Sequence, residues 1–261
     1  MKKTLVAISI LVIVFFLVPN AVAVVYDDGD THIIDYTLND SVWVYGDGTF
    51  VDIREGAYIK WDNYLTQGVY AEDAAIISMS GGYIYGNITA TELTVTNISG
   101  GSIGELYIDG SEFYFSGAST GFVGIGSNCQ ASITGGSMRQ LWTSGNSVTT
   151  FSGGSLSCAS STAYEISTSD NSFMTLVGTD FKINGISVGY GDSARDYAEL
   201  LVYTGGSYFY GNLTGTLQGG QLLDVMFKIS DSSDIVFVPE PTTLCLLAFG
   251  GLGLLRKGRM K

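Results

Sequence analysis

The sequence predicts an all-β protein whose body is a single-stranded, right-handed parallel β-helix, a solenoid with coils of about 18 residues. Three observations predict this class: a Ser/Thr-Gly-Gly unit recurs at a nearly constant interval, apolar and polar residues alternate around it, and Gly is abundant while Pro is rare. With 35 Gly against 3 Pro in 261 residues, the composition is typical of short strands joined by tight turns and not of a disordered chain.

The repeat is clearest in the middle of the chain. Its first glycines are Gly81, Gly100, Gly117, Gly135 and Gly153, so that successive steps are 19, 17, 18 and 18 residues. Period-two alternation indicates strands with one buried and one solvated face. A β-sandwich also has short strands and glycine turns and is the alternative fold, and a left-handed solenoid is the alternative hand.

The Gly-Gly pair needs a geometric reason, because Gly in a strand costs roughly 0.5–1 kcal/mol relative to Ala. We expect the pair to form a corner between two strands, with a positive φ. Coils stacked at about 4.8 Å would then bury one continuous core. The side chains expected to point into this core are Ile84, Ile88, Val95, Ile98, Ile103, Leu106, Ile108, Ile133, Leu141, Phe151 and Leu156.

The N-terminal end has the pattern of a secretory signal peptide over residues 1–23. Lys2 and Lys3 precede an apolar run over 4–18, which we expect to be helical, and Pro19 follows it. Ala21 and Ala23 give the small-x-small pattern of a cleavage site, so the mature chain is expected to begin at Val24 outside the cytoplasm. An uncleaved anchor helix is the alternative.

The β-solenoid domain is expected over residues 24–237. Within it, 24–75 should form the first coils and an N-terminal cap, 76–185 the regular coils, and 186–237 a C-terminal coil and hairpin. The remaining residues, 238–261, differ in composition from the β-solenoid domain before them.

This tail begins with the extended sequence Val238, Pro239, Glu240, Pro241, Thr242. Twelve uncharged residues follow at 244–255, which as a short apolar helix would span about 18 Å, less than the ~30 Å hydrocarbon core of a bilayer. Four basic residues close the chain and would hold its end on the cytoplasmic side: Arg256, Lys257, Arg259 and Lys261. The pattern predicts transient membrane insertion and a processed sorting signal.

The tail resembles the PEP-CTERM sorting domain of bacterial exported proteins. That resemblance implies processing by an exosortase-type membrane enzyme after export, a cell-surface or extracellular-matrix location, and an association with extracellular polysaccharide. The body resembles the Gly-Gly-rich β-helical exoproteins that carry this tail, on "GTDFKING" at 178–185 and "GNLTGTLQGG" at 211–220. One departure is Cys245 in the apolar run, either a lipidation site or a plain thiol.

Candidates for chemistry in the body are few. The acids Asp192, Asp196 and Glu199, with Arg195, could share a helical face as a polysaccharide lyase or glycosidase would need, or could lie in a solvated loop. The acidic cluster Asp27, Asp28, Asp30 could hold calcium or be a solvated terminus. His32 is the only histidine, which argues against a histidine-dependent triad or a multi-histidine zinc site.

The other features indicate a binding or structural role. Aromatic residues beside the corners could stack on sugar rings or merely cover edges, and these are Tyr83, Tyr85, Tyr107, Phe113, Phe115, Trp142, Tyr208 and Tyr210. The formal net charge of −13 argues against nucleic-acid binding. Cys129 and Cys158 are out of phase in the repeat, so we expect no disulfide between them.

The sequence therefore predicts a non-catalytic secreted protein of the cell surface or extracellular matrix, with no cofactor. The alternative is a polysaccharide-binding or polysaccharide-degrading β-helix protein.

Overall fold

The computed structural model describes residues 23–60, 67–157, 164–204 and 207–240. The signal helix, Ala21 of the cleavage site and the short C-terminal apolar helix lie outside these residues. Strands make up 61% of the structure and helix 3%, so the all-β prediction is confirmed.

Among the described residues, twenty-two strands and one short 3₁₀ helix follow one another in sequence. The strands are β1 (Val24–Tyr26), β2 (Thr31–Ile34), β3 (Thr37–Leu38), β4 (Val42–Val44), β5 (Phe50–Ile53), β6 (Tyr58–Ile59), β7 (Gln67–Ala71), β8 (Ile76–Met79), β9 (Tyr83–Ala90), β10 (Val95–Ile98) and β11 (Ser102–Asp109). They continue with β12 (Glu112–Phe115), β13 (Ser119–Gly126), β14 (Gln130–Thr143), β15 (Val148–Leu156), β16 (Ile166–Thr168), β17 (Phe173–Ile183), β18 (Ile186–Ser187), β19 (Val202–Thr204), β20 (Tyr208–Leu217), β21 (Leu222–Ser230) and β22 (Asp234–Val238). The 3₁₀ helix is Ala194–Leu200, between β18 and β19.

Most strands stack in parallel into three columns. The first column contains β2, β5, β8, β10 and β12, then parts of β14, β15 and β17, and finally β22. The second contains β3 and β6, then parts of β9, β11, β13, β14 and β15. The third contains β1, β4 and β7, then parts of β9, β11, β13 and β14, and finally β16 and β21.

The register of the first column reproduces the spacing of the glycines. Ile76, Val95, Glu112, Gln130 and Val148 are stacked partners, at steps of 19, 17, 18 and 18 residues. Each repeat unit of the sequence therefore advances the chain by one strand position in the column.

The regular repeat ends after β15. There the strand pairings close into a ring of six strands: β14, β15, β17, β20, β21 and β16. Strand β20 pairs antiparallel with both β17 and β21. The partner of Phe173 in the first column is Asp234, 61 residues later, because β18 to β21 intervene. This ring, with many strands outside it, is not the uniform parallel β-helix that the sequence predicts.

The core lies between the columns and contains most of the predicted inward residues. Ile84, Ile88, Ile98, Ile103, Leu106, Ile108, Ile133, Leu141 and Phe151 are all buried. Leu156 is only partly buried. The prediction for Val95 was wrong: Val95 is half-buried, while its neighbour Thr96 is fully buried and stacks between Ile77 and Phe113. Residues two apart in a strand share a face, so Thr96 points into the core together with Ile98, and Val95 does not.

The two glycines of a repeat unit have different roles. Gly101 has φ +92°, so the positive φ expected at the corner is confirmed for the second glycine. Gly100 has an ordinary φ, but a Cβ there would collide with the carbonyl oxygen of Ser80 in the preceding coil. The first glycine therefore permits close stacking of coils, and the second permits the turn.

Candidate functional site

The outer face of the third column carries a row of aromatic side chains. The register aligns Trp43, Tyr70, Thr89, Tyr107, Gly124, Trp142 and Ser167 at successive outward positions. Trp142 is 49% exposed and Tyr107 39% exposed, although both lie in regular strands. Exposed aromatic rings on a rigid sheet are preorganised contact surfaces.

Between Tyr107 and Trp142 the row is interrupted by strand β13, whose outward positions Gly124 and Gly126 carry no side chain. The ring of Phe122 occupies the space over Gly124, where a Cβ would come within 2.8 Å of the ring. The Phe122 ring centroid lies 5.4 Å from that of Tyr107 and 5.2 Å from that of Trp142. Tyr107, Phe122 and Trp142 therefore form one aromatic surface across three coils.

This aromatic surface is one side of an open groove of about 790 Å³, which we call the column-three groove. Its second outward row contains Thr91, Asp109, Gly126, Ser144 and Ser169, and Asp170 lies at its edge. No Lys, Arg or His side chain is among the residues lining it. The groove therefore combines aromatic rings, hydroxyl groups and carboxylates without a cationic group.

The hydroxyl group of Tyr107 is held at the border of the groove. It donates a hydrogen bond to Glu105 Oε2 at 2.6 Å, and this bond raises the pKa of Tyr107 to about 12. The phenol therefore stays protonated at neutral pH, and the hydrogen bond orients the ring.

The aromatic residues singled out in the sequence are divided by the structure. Tyr83, Tyr85, Tyr107 and Trp142 are exposed. Phe113 and Phe115 are buried in the core, so they neither form a surface for sugar rings nor cover an edge. Tyr208 and Tyr210 are half-buried. Sequence reasoning missed Phe122, although the bare alternate positions in "FVGIG" at 122–126 were a usable signal for a gap in the outer face.

The acidic group after β18 does not form the helical face considered from the sequence. Asp192 precedes the short 3₁₀ helix Ala194–Leu200 and accepts hydrogen bonds from Tyr197 Oη at 2.6 Å and from the Gly189 amide at 2.9 Å. The bond from Tyr197 raises the pKa of that tyrosine. Asp196 forms a capping box with Ser193.

Arg195 belongs to the same structural element. Its guanidinium donates to the carbonyl oxygens of Ser233, at 2.9 Å, and Ser230, at 3.1 Å. Ser193 donates to Asp234 Oδ1 at 2.6 Å. The segment from 189 to 200 therefore covers the edge of β22. Asp192, Asp196 and Arg195 have defined structural partners, whereas Glu199 is exposed.

At the N-terminal end, His32 Nε2 lies 2.8 Å from Asp28 Oδ1. This contact is the main cause that lowers the pKa of the Asp28 carboxyl group. Across the part of the chain that the structure describes, no group of three or more His, Cys, Asp or Glu side chains is arranged to hold a metal ion.

Cys129 is a free and fully buried thiol, and Cys158 lies outside the described residues. Burial raises the pKa of the Cys129 thiol to about 11, so the thiol is protonated at neutral pH.

We expect Cys129 to be unreactive in the folded protein. A chain of residues 24–240 with Cys158→Ser has Cys129 as its single thiol. At pH 8 it should react with Ellman's reagent at least tenfold more slowly than in 6 M guanidinium, because the reactive thiolate is suppressed by burial. Equal rates in the two conditions would show that the thiol is accessible.

The sorting sequence begins inside the folded body. Val238 is the last residue of β22 and pairs with Val177 of β17. Pro239 is buried and Glu240 is half-buried. Pro241, Thr242 and the basic residues Arg256, Lys257, Arg259 and Lys261 lie outside the described residues.

Residues 237–259 match the family model of the PEP-CTERM protein-sorting motif, which confirms the resemblance of the tail. This motif implies processing by an exosortase and export to the cell envelope or surface. Neither the search of curated proteins nor that of solved structures found a match to the chain. None of the helical structure among the described residues is long and apolar enough to cross a membrane.

Proposed function

We propose that this chain, which ends in a PEP-CTERM sorting motif, is a non-catalytic protein of the cell surface or extracellular matrix. It is exported by way of its signal peptide, inserts transiently in the membrane through its C-terminal segment, and is processed there by an exosortase-type enzyme. The observation that carries the proposal is the motif at residues 237–259, whose first two residues are the last two of strand β22.

The body would serve as a rigid spacer. In this proposal it is a right-handed β-solenoid, closed at its C-terminal end by the antiparallel strands β20 and β21. Support comes from the three columns of parallel strands and from the constant register of β8, β10, β12, β14 and β15. Such stacking pairs the backbone groups of each coil with its neighbours and gives a stiff rod.

A non-catalytic role is supported by the bonding of the acidic group after β18. Asp192 and Asp196 are engaged by Tyr197 and Ser193, and Arg195 binds two backbone carbonyls. The alternative is a polysaccharide-degrading protein, which would need carboxylates able to transfer protons to a substrate. Polysaccharide binding without catalysis is a second candidate function, favoured by the column-three groove.

The termini of the native protein test the sorting pathway. In cells that export it, mass spectrometry should find a mature chain that begins at Val24 and lacks Lys261, because both ends are removed during delivery. Replacing Glu240 and Pro241 together by alanine should leave the N-terminus unchanged and the C-terminal segment uncleaved. An exported wild-type product that retains Lys261 would contradict the proposal.

A further inference from the structure

We propose that the column-three groove binds an uncharged pyranose polysaccharide, one sugar ring being placed against the aromatic surface of Tyr107, Phe122 and Trp142. This inference rests on one part of the proposed function, which is that the body lies outside the cell, where it can encounter such a glycan.

The spacing of the coils fits a flat, six-membered ring. Tyr107 and Trp142 occupy equivalent positions two coils apart, so their strands are separated by about 9.6 Å. The glycine positions of β13 lower the floor between them, and the Phe122 ring covers that floor at Gly124. The Phe122 ring contacts both neighbouring rings, so a pyranose ring can lie on one continuous aromatic surface, with its C–H bonds facing the rings.

The polar groups stand where the equatorial hydroxyls of such a ring would be. Asp109 projects over Gly126, with its Oδ1 atom 2.8 Å from the position that a Cβ would take. Ser144 Oγ lies on the other side of the same position, and Asp170 accepts a hydrogen bond from the Gly145 amide at 3.2 Å. Carboxylates accept hydrogen bonds from sugar hydroxyls, and serine hydroxyls both donate and accept them.

The charge of the groove selects among glycans. Its lining contains two carboxylates and no Lys, Arg or His, in a chain of formal net charge −13. Uronic acids, sulfated sugars and phosphorylated sugars would be repelled, because none of the lining residues is a cation. Lys228, the strand partner of Ser167 beyond the groove, has its Nζ atom 3.8 Å from the centroid of the Tyr208 ring. The hydroxyl groups of an uncharged sugar can donate hydrogen bonds to the two carboxylates of the groove, so no opposite charge is needed on the ligand.

The ends of the groove indicate a polymer and not a single sugar. Beyond the aromatic residues, the outward row continues with the small side chains Thr89 on one side and Ser167 on the other, and both line the groove. These five coil positions extend over about 19 Å along the stack, which is longer than one pyranose ring. A glycan chain can therefore enter and leave along the axis of the columns.

The test is calorimetric titration of the mature chain, residues 24–240, in 150 mM NaCl. The neutral probes are cellohexaose, laminarihexaose and maltohexaose, and the charged probes are a hexamer of galacturonic acid and a hexamer of glucosamine. At least one neutral hexamer should bind, and the galacturonic acid hexamer should not. The proposal would be overturned if none of cellohexaose, laminarihexaose and maltohexaose binds. It would also be overturned if either charged hexamer binds more tightly than all three.

Substitutions locate the binding surface. Trp142→Ala and Tyr107→Ala should each weaken binding of the neutral hexamer at least tenfold, and Asp109→Asn by a smaller factor. Tyr107→Phe, which keeps the ring, should bind within threefold of wild type. The matched control is Tyr85→Ala, which removes an aromatic side chain that is 59% exposed outside this groove and should not change binding.

The melting temperature of each variant is measured first and should equal that of wild type, so that a loss of binding does not reflect a loss of fold. Unchanged binding in a folded Trp142→Ala protein would overturn the proposal. The same mixtures are assayed for new reducing ends. Their release, with binding intact, would refute the non-catalytic function while leaving the groove as the glycan site.

Discussion

Gly136→Ala is expected to destabilise the folded body by about 2–5 kcal/mol. Gly136 is the second glycine of its repeat unit and has φ +82°, a conformation that costs an alanine about 1–2 kcal/mol. A Cβ there would also collide with the ring of Phe115 and lie 2.7 Å from the carbonyl oxygen of Ala118, which adds an overpacking cost of about 1–3 kcal/mol. The measurement is the free energy of unfolding in urea, followed by circular dichroism.

Gly220→Ala is the matched control for this prediction. Gly220 has nearly the same φ, +81°, but nothing lies within 4 Å of the position that its Cβ would take. Its loss of stability should therefore be limited to the conformational part, about 1–2 kcal/mol. Equal losses at the two sites would show that contact between coils does not contribute to the requirement for glycine at the corner.

The regular coils could be predicted from sequence because their determinants are local. A positive φ at Gly101 and a lack of space at Gly100 both require glycine, and these requirements return in most coils. The coil of Gly117 is the exception, because Ala118 follows it without a positive φ. The prediction failed at Val95 because hydrophobicity alone placed this residue in the core. The alternation set by Ile98 places Thr96 there instead. The buried Thr96 shows that the phase of a strand, and not the polarity of one residue, decides which side chain enters the core.

The six-strand ring could not be predicted in the same way. It depends on pairings between distant segments, β16 with β21 and β17 with β20, which leave no periodic trace in the sequence. The column-three groove is an intermediate case. The sequence places Tyr107 and Trp142 among the aromatic residues beside the corners, but their arrangement around Phe122 depends on which coils are neighbours.

Phe237→Ala is expected to cost about 3–5 kcal/mol of folding stability, the typical loss for a buried phenylalanine. Phe237 is 1% exposed, lies in the last strand, and its ring centroid is 5.2 Å from that of Phe181. Its backbone also pairs with the covering segment, since the Gly191 amide donates to the Phe237 carbonyl oxygen at 2.8 Å. Urea unfolding of residues 24–240 measures the effect, and Val236→Ala, at a half-buried position of the same strand, should cost less than about 1 kcal/mol.

The position of Phe237 bears on processing, because the matched sorting motif, residues 237–259, begins at this residue. A chain that ends at Glu240 keeps all of β22 and should unfold at the same urea concentration as residues 24–261. A chain that ends at Ser233 lacks Ile235 and Phe237, exposes the first-column part of β17, and should lose cooperative unfolding. Removal of the tail beyond the strand therefore leaves the body intact, whereas cleavage within β22 would unfold its C-terminal end. A Ser233-terminated chain as stable as the longer ones would show that β22 belongs to the sorting signal and not to the folded body.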